Sequence, residues 1–138
     1  MLETELAYVA GIIDGEGSIG IYQQKARGYR SKVMRVTVDN TDEWLIRQLL
    51  MWFGGHINRR SDHRGNRKDV WQWYVESKKA GNFLRLILPY VRMKRPQVEL
   101  ALQFQERKHP CRGHTEEELA LEEAERLLMH KMNRTGKL

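Results

Sequence analysis

An apolar stretch near the amino terminus constrains the fold of this chain more than any other feature. Thr4 to Asp14 are predicted to form a short helix that is closed by Gly15-Glu16-Gly17. On a wheel of about 100° per residue, large and small side chains separate onto opposite sides of this helix. The large ones are Leu6, Val9, Ile12 and Ile13, and the small side consists of Ala7, Ala10, Gly11 and Asp14. The large side is expected to cover the chain's own sheet, while the small side lets another helix approach closely.

The small side predicts a contact between two copies of the chain. No other predicted helix has a matching small side, so the most economical partner is the same helix of a second copy, related by a two-fold axis. The dimer interface would then comprise Ala7, Ala10, Gly11 and Asp14. The alternative is a helix buried within its own monomer, which explains the large side and leaves the small side unexplained.

Glu16 follows at the carboxyl end of this helix, where the helix dipole disfavours a carboxylate. Two copies would bring two such acids together, and like charges repel unless a cation lies between them. Oxygen ligands of this kind suit Mg²⁺, which also retains water for hydrolysis. The sequence therefore predicts metal chemistry at Glu16.

The rest of the chain alternates pairs of strands with helices. Strands are predicted at 18–24, 32–39, 56–60 and 70–75, and helices at 42–53, 79–88, 97–107 and 115–132, followed by a frayed tail. Thr41 or Asp42 is expected to cap the second helix, with Trp44 on its apolar stripe, and Thr115 with Glu118 forms a capping box for the last one. The predicted fold class is α+β, a single domain over 1–138 with a four-stranded antiparallel sheet backed by helices.

Charge and composition narrow the class of partner. The formal net charge is +6, and much of the basic charge precedes residue 70 while 115–125 is acidic, as expected when one side of a fold faces phosphates. The single cysteine, Cys111, excludes an internal disulfide and a cysteine-rich zinc site. Neither a membrane-length apolar run nor a secretory signal is evident, so an intracellular protein is expected, with bacterial or phage cytoplasm and an organelle left open.

Val9-Ala10-Gly11-Ile12-Ile13-Asp14-Gly15-Glu16-Gly17, followed by Ser18-Ile19, resembles the LAGLIDADG motif of homing endonucleases. The predicted αββαββα order agrees with that family. The resemblance implies a site-specific endonuclease that hydrolyses double-stranded DNA, with a single motif acting as a homodimer on a near-palindromic target. It implies Mg²⁺ as the cofactor, with Mn²⁺ able to replace it and Ca²⁺ able to bind without supporting cleavage.

The resemblance also implies roles for single residues. Glu16 corresponds to the metal-binding acid, where the family usually has Asp, and the carbonyl of Gly15 is a further implied ligand, whereas Asp14 is mainly structural. Lys94, in the basic segment 90–97, matches the active-site lysine, whose ammonium would stabilise charge at the scissile phosphate. Asp39 and Asn40 stand where the family has a solvent-positioning residue. The choice between these two is open, and an Asx turn is the alternative role.

The resemblance assigns the exposed face of the sheet to DNA. Strand alternation directs Met34, Val36, Val38, Trp71, Trp73 and Val75 to the core, and hence their neighbours outward. The predicted DNA-binding residues are Tyr22, Gln24, Arg27, Arg30, Arg35, Thr37, Asn58, Arg60, Arg64, Arg67, Gln72 and Tyr74. The alternative function is a nucleic-acid-binding protein that keeps the fold without cleavage, either a regulator or an intron maturase, and only the maturase would bind RNA.

Overall fold

The computed structural model describes residues 1–25, 31–60, 69–108 and 115–135. Its helices are α1 (Glu3–Glu16), α2 (Glu43–Phe53), α3 (Ser77–Ile87), α4 (Arg95–Arg107) and α5 (Glu116–Thr135). Its strands are β1 (Gly17–Gln23), β2 (Lys32–Asn40), β3 (His56–Arg60) and β4 (Val70–Glu76). The predicted order of elements is confirmed, and the fold class is α+β.

The four strands form one antiparallel sheet in the order β1-β2-β4-β3. Each predicted hairpin is present, and the two hairpins join through β2 and β4, where Val36 pairs with Val75. The core-facing residues of these central strands are fully buried, namely Met34, Val36, Val38, Trp73 and Val75, as alternation predicted. Trp71 is only partly buried because it lies towards the edge of the core.

Helix α1 continues two residues beyond its predicted end, so Glu16 is its last helical residue and Gly17 is its C-cap. The close approach of the chain to Ile13 requires this glycine, because a Cβ on Gly17 would lie 2.9 Å from Ile13 atoms. Strand β1 therefore starts directly at the helix end, without an intervening loop. This direct junction fixes Glu16 at the rim of the sheet.

The large side of α1 packs on the chain's own core as predicted, with Val9 and Ile13 fully buried. Two residues assigned to the dimer interface do not fit that role. Ala10 has no exposed surface within the single chain, so its side chain cannot meet a second copy. Asp14 is turned instead towards the segment between α3 and α4, where two backbone N–H groups donate to its carboxylate.

Asp42, rather than Thr41, caps α2, since its carboxylate accepts a hydrogen bond from Trp44 N at 2.9 Å. The prediction that Trp44 belongs to the buried stripe is wrong, because its side chain is 57% exposed. Its position in the first turn places it outside the face that Leu45, Ile46 and Leu49 present to the core.

Helix α5 packs mainly on edge strand β1 and on α4. The predicted cap is present, with Glu118 N donating to Thr115 Oγ1 at 3.1 Å. The Asn133 amide donates to the Ile19 carbonyl at 2.8 Å and so occupies an acceptor of the edge strand. None of the described helices combines the length and apolar character that a membrane span requires.

Candidate functional site

The exposed carboxylate of Glu16 and the side chain of Asn40 meet where α1 and β2 both end. Asn40 Nδ2 donates to Glu16 Oε2 at 2.5 Å, and Asn40 Oδ1 accepts from Asp42 N at 2.8 Å. The second bond is an Asx turn that orients the amide so that its N–H₂ group faces Glu16. The Asx turn expected as the alternative role is therefore present at Asn40, and the solvent-positioning role stays a prediction.

Asp39 lies on the other face of β2 from Asn40 and does not approach Glu16 through any hydrogen bond of the described residues. Its carboxylate accepts hydrogen bonds from Arg60 Nη2 at 3.0 Å and from Gln72 Nε2 at 2.9 Å. Of the two candidates for a solvent-positioning residue, the structure thus brings only Asn40 to the acid.

The segment that follows α3 is fastened to the end of α1 through Asp14. Its Oδ2 accepts a hydrogen bond from Arg92 N and its Oδ1 accepts one from Lys94 N, both at 2.9 Å. These bonds hold Lys94 beside the helix end. They also explain why an acidic residue suits position 14, because its two oxygens accept these two N–H groups. This agrees with the structural role that the motif implies for Asp14.

The ammonium of Lys94 caps the end of α1. Its Nζ donates to the carbonyl oxygens of Ile13 at 3.0 Å, Asp14 at 3.2 Å and Gly17 at 2.7 Å. An ammonium has three N–H donors, and helix ends leave carbonyls without intrahelical partners, so this arrangement matches donors to acceptors. Burial lowers the pKa of Lys94 below its usual value, while the Asp14 carboxylate acts in the opposite direction.

Glu16 could hold a divalent metal only in an open site, in which the protein supplies few of the ligands. Among the described residues, no group of three or more His, Cys, Asp or Glu side chains could hold a metal ion. Mg²⁺ is commonly bound by one or two carboxylates, with waters and substrate phosphates completing the shell. Asn40 engages one oxygen of Glu16 and leaves the exposed carboxylate a second one. The donor set suits a metal shared with a phosphate or with a second copy.

One part of the outer face of the sheet carries aromatic rings stacked around the guanidinium of Arg35. The Arg35 guanidinium lies 5.0 Å from the Tyr74 ring centre and 5.8 Å from that of Tyr22, and His56 stacks on Tyr74 at 5.2 Å. Arg35 also pairs with Glu76 at 3.2 Å. Sequence reasoning missed His56, although the alternation that selected Asn58 and Arg60 places it on the same face.

The other predicted DNA-binding residues divide into three groups. Thr37, Asn58, Arg60 and Gln72 lie on the outer face of the sheet, with Asn58 paired opposite Gln72. Gln24 lies just beyond β1 and accepts a hydrogen bond from Ser31 Oγ at 3.0 Å. Arg27, Arg30, Arg64 and Arg67 lie outside the described residues.

The exposed side of α1 is lined by small residues. Ala7, Gly11 and Gly15 are exposed, and a Cβ added at Gly11 or Gly15 would meet nothing within 4 Å. Neither glycine is therefore needed for packing against the residues that the structure describes, in contrast to Gly17. Their lack of a side chain is unexplained by this fold alone.

Comparison with solved structures identifies the fold. The structure superposes on the homing endonuclease I-CvuI in complex with its target with a TM-score of 0.63 and 23% identity, covering 75% of this chain and 66% of that one. For the archaeal intron-encoded homing endonuclease I-Vdi141I complexed with DNA, the TM-score is 0.61 at 14% identity, over 94% and 98% of the two chains. For the LAGLIDADG meganuclease I-CpaMI bound to uncleaved DNA, the TM-score is 0.58 at 19% identity.

The matched region is not the same share of every neighbour. The match to I-CpaMI covers 73% of this chain but only 35% of I-CpaMI. No protein-family model matches the sequence, and no curated protein matches it significantly. The architecture is an α+β sheet-and-helix fold of the kind found in DNA endonucleases. More narrowly, the chain has the fold of the LAGLIDADG homing endonucleases.

Proposed function

We propose that the protein is a site-specific double-stranded DNA endonuclease of the homing type, acting as a homodimer with a divalent metal. The observation that carries the proposal is the placement of Glu16. This exposed carboxylate ends α1 beside the Asn40 amide, at the rim of a sheet whose outer face carries arginine, amide and aromatic side chains. Hydrogen-bonding and stacking groups of this kind contact phosphates and base edges.

Glu16 would hold the metal, with the carbonyl of Gly15 as a further ligand. When bound, Mg²⁺ supplies a Lewis acid at the scissile phosphate and a more acidic water. Asn40 fixes the direction of the Glu16 carboxylate through its amide. Lys94 is a positioning residue in this proposal, because its three donors hold the helix end that presents Glu16.

The homodimer is supported by the exposed small side of α1. Close packing of Ala7, Gly11 and Gly15 against the same residues of a second copy would give these glycines a function that the single chain lacks. It would also place two Glu16 carboxylates near the two-fold axis, one for each DNA strand. Ala10 and Asp14 contribute from within each chain rather than across the contact.

The decisive experiment selects a duplex target from a randomised library and measures its cleavage with Mg²⁺. We expect Glu16→Gln to lower the cleavage rate by about 100-fold or more, because it removes a charged metal ligand while keeping the shape. Binding to the selected duplex with Ca²⁺ should persist.

Glu3→Gln is the matched control, since it removes the same charge at the opposite end of α1. Unchanged cutting by Glu16→Gln would refute the assignment of the acid. A wild-type protein that binds its selected duplex but never cuts it would favour the non-cleaving alternative.

A further inference from the structure

The outer face of the sheet carries a carboxylate, Asp39, although a negative charge on a phosphate-facing surface repels the phosphates. Asp39 is on β2, its carboxylate is 44% exposed, and Arg60 on β3 reaches across β4 to pair with it at 3.0 Å. Gln72, directly opposite Asp39 on β4, donates to its other oxygen at 2.9 Å. Three strands thus contribute one side chain each to a single cluster, which we call the Asp39 cluster.

Because negative charge on this face opposes phosphate binding, the function of Asp39 must lie in its effect on Arg60 and Gln72. An arginine that is otherwise 65% exposed would sample many conformations and pair with the nearest phosphate. The ion pair with Asp39 restricts the Arg60 guanidinium to one orientation. The carboxylate also offsets its charge, which weakens contacts that depend on charge alone.

The partners keep the donors and acceptors that base recognition needs. Arginine has five N–H donors, and among the described residues Arg60 bonds to Asp39 through Nη2 alone, which leaves a pair of N–H groups for guanine O6 and N7. Within the described part of the chain, the Gln72 amide uses one N–H on Asp39 and retains a second N–H and its Oε1. Adjacent strands lie about 4.8 Å apart, so the two side chains address roughly two neighbouring base pairs.

We infer that Asp39 is a specificity-determining residue: it orients Arg60 and Gln72 as base-reading groups and directs Arg60 to a guanine in the major groove. The inference rests on the proposed function, because it names the part of the DNA target that this face recognises. Asp39 itself is assigned no part in the cleavage step.

The experiment determines base preferences at every position of the target for the wild type, Asp39→Asn and Asp39→Ala, with binding measured in Ca²⁺ so that cleavage plays no part. We expect both variants to lose preference for guanine at one or two adjacent positions by roughly 5- to 100-fold. They should also bind unrelated duplex more tightly than the wild type. Preferences elsewhere in the target should remain.

Asp69→Asn is the matched control, because Asp69 pairs with Arg59 through the Arg59 Nε at 2.8 Å on the opposite face of the same sheet. It removes an equal charge and an equal ion pair, and its base preferences should equal those of the wild type. Identical preferences in Asp39→Asn, Asp39→Ala and wild type would overturn the inference alone. A wild type that selects no duplex at all would overturn the proposed function and, with it, this role for Asp39.

Discussion

At the scale of single residues, the end of α1 depends on two side chains with opposite charges. Asp14 accepts from the backbone of the segment after α3, and Lys94 returns from that segment to cap three carbonyls of the helix end. The sequence predicted a structural role for Asp14 at the helix end and an active-site role for Lys94. It could not predict the capping bonds, because they join residues about eighty positions apart and depend on how α3 and α4 pack.

Replacing Lys94 with Met should expose the capping function. Three carbonyls would lose a charged donor, so we expect the free energy of unfolding to fall by about 1.5–3 kcal/mol in urea titrations. Because Glu16 would then be less well placed, the Mg²⁺ concentration for half-maximal cleavage should rise several-fold. Lys78→Met, on the exposed start of α3, is the control and should change neither quantity.

The cleavage rate at saturating Mg²⁺ separates this role from a catalytic one. If Lys94 stabilised charge on the phosphate directly, Lys94→Met would lower that rate without moving the Mg²⁺ requirement. That result would contradict a positioning role.

At the scale of elements, the alternation of apolar and polar residues predicted the strands well, because each strand buries one face and exposes the other. The end of α1 was placed too early, since the chain stops the helix at Gly17, where the close approach to Ile13 excludes a side chain, and not at Gly15. The contact joins residues only four positions apart, but it forms only because the chain leaves the helix for β1 at this point, and Gly15 and Gly17 are both possible helix ends in the sequence.

The buried face of helix α5 also could not be predicted from the local sequence. It buries Glu122 and Glu125, which pair with Lys108 at 3.2 Å and with Arg107, while Leu121 and Leu127 remain exposed. Hydrophobic periodicity would have placed the leucines inside. The pairing cations lie at the end of α4, so the buried face could be recognised only once the two helices were known to pack together.

A pH dependence follows from Glu123, which joins α5 to β2. Bonds from Arg126, and then from the buried Lys32 at 3.3 Å, lower the pKa of Glu123 to about 2. A carboxylate with a depressed pKa stabilises the fold above its ordinary pKa, and that contribution is lost as pH falls from about 4.5 towards 2. Glu123→Gln should therefore reduce stability at pH 7 and flatten its fall over this acid range.

Denaturant titrations of both proteins between pH 7 and pH 2 would check this dependence. The difference in stability should be largest at neutral pH and vanish near pH 2. Glu117→Gln, an exposed acid in the first turn of α5, provides the comparison. A constant difference across the range would show that Glu123 acts through packing instead of charge.

At the scale of the whole molecule, the proposed homodimer would make each chain one half of a symmetric arrangement. Each copy would supply one exposed acid at the end of one small-sided helix, and the described residues include no cluster of ligands that would enclose a metal without a second copy or a phosphate. The sequence predicted the small side correctly at Ala7 and Gly11, whereas wheel angles alone could not show that Ala10 turns inward against the chain's own core.

Gly11 gives the most direct test of that arrangement. A Cβ added there would meet nothing within 4 Å in the described part of the chain and the position is exposed, so we expect Gly11→Leu to leave the monomer as stable as before, or more stable by up to about 1 kcal/mol from helix propensity. Between two copies the same side chain would force the helices apart, and we expect the dimer dissociation constant to rise by roughly tenfold or more. Sedimentation equilibrium measures that constant, and Ala120→Leu, on exposed α5, adds similar bulk elsewhere. A dimer that withstands Gly11→Leu as well as Ala120→Leu must be held by another surface, and Glu16 would then have to act without its counterpart nearby.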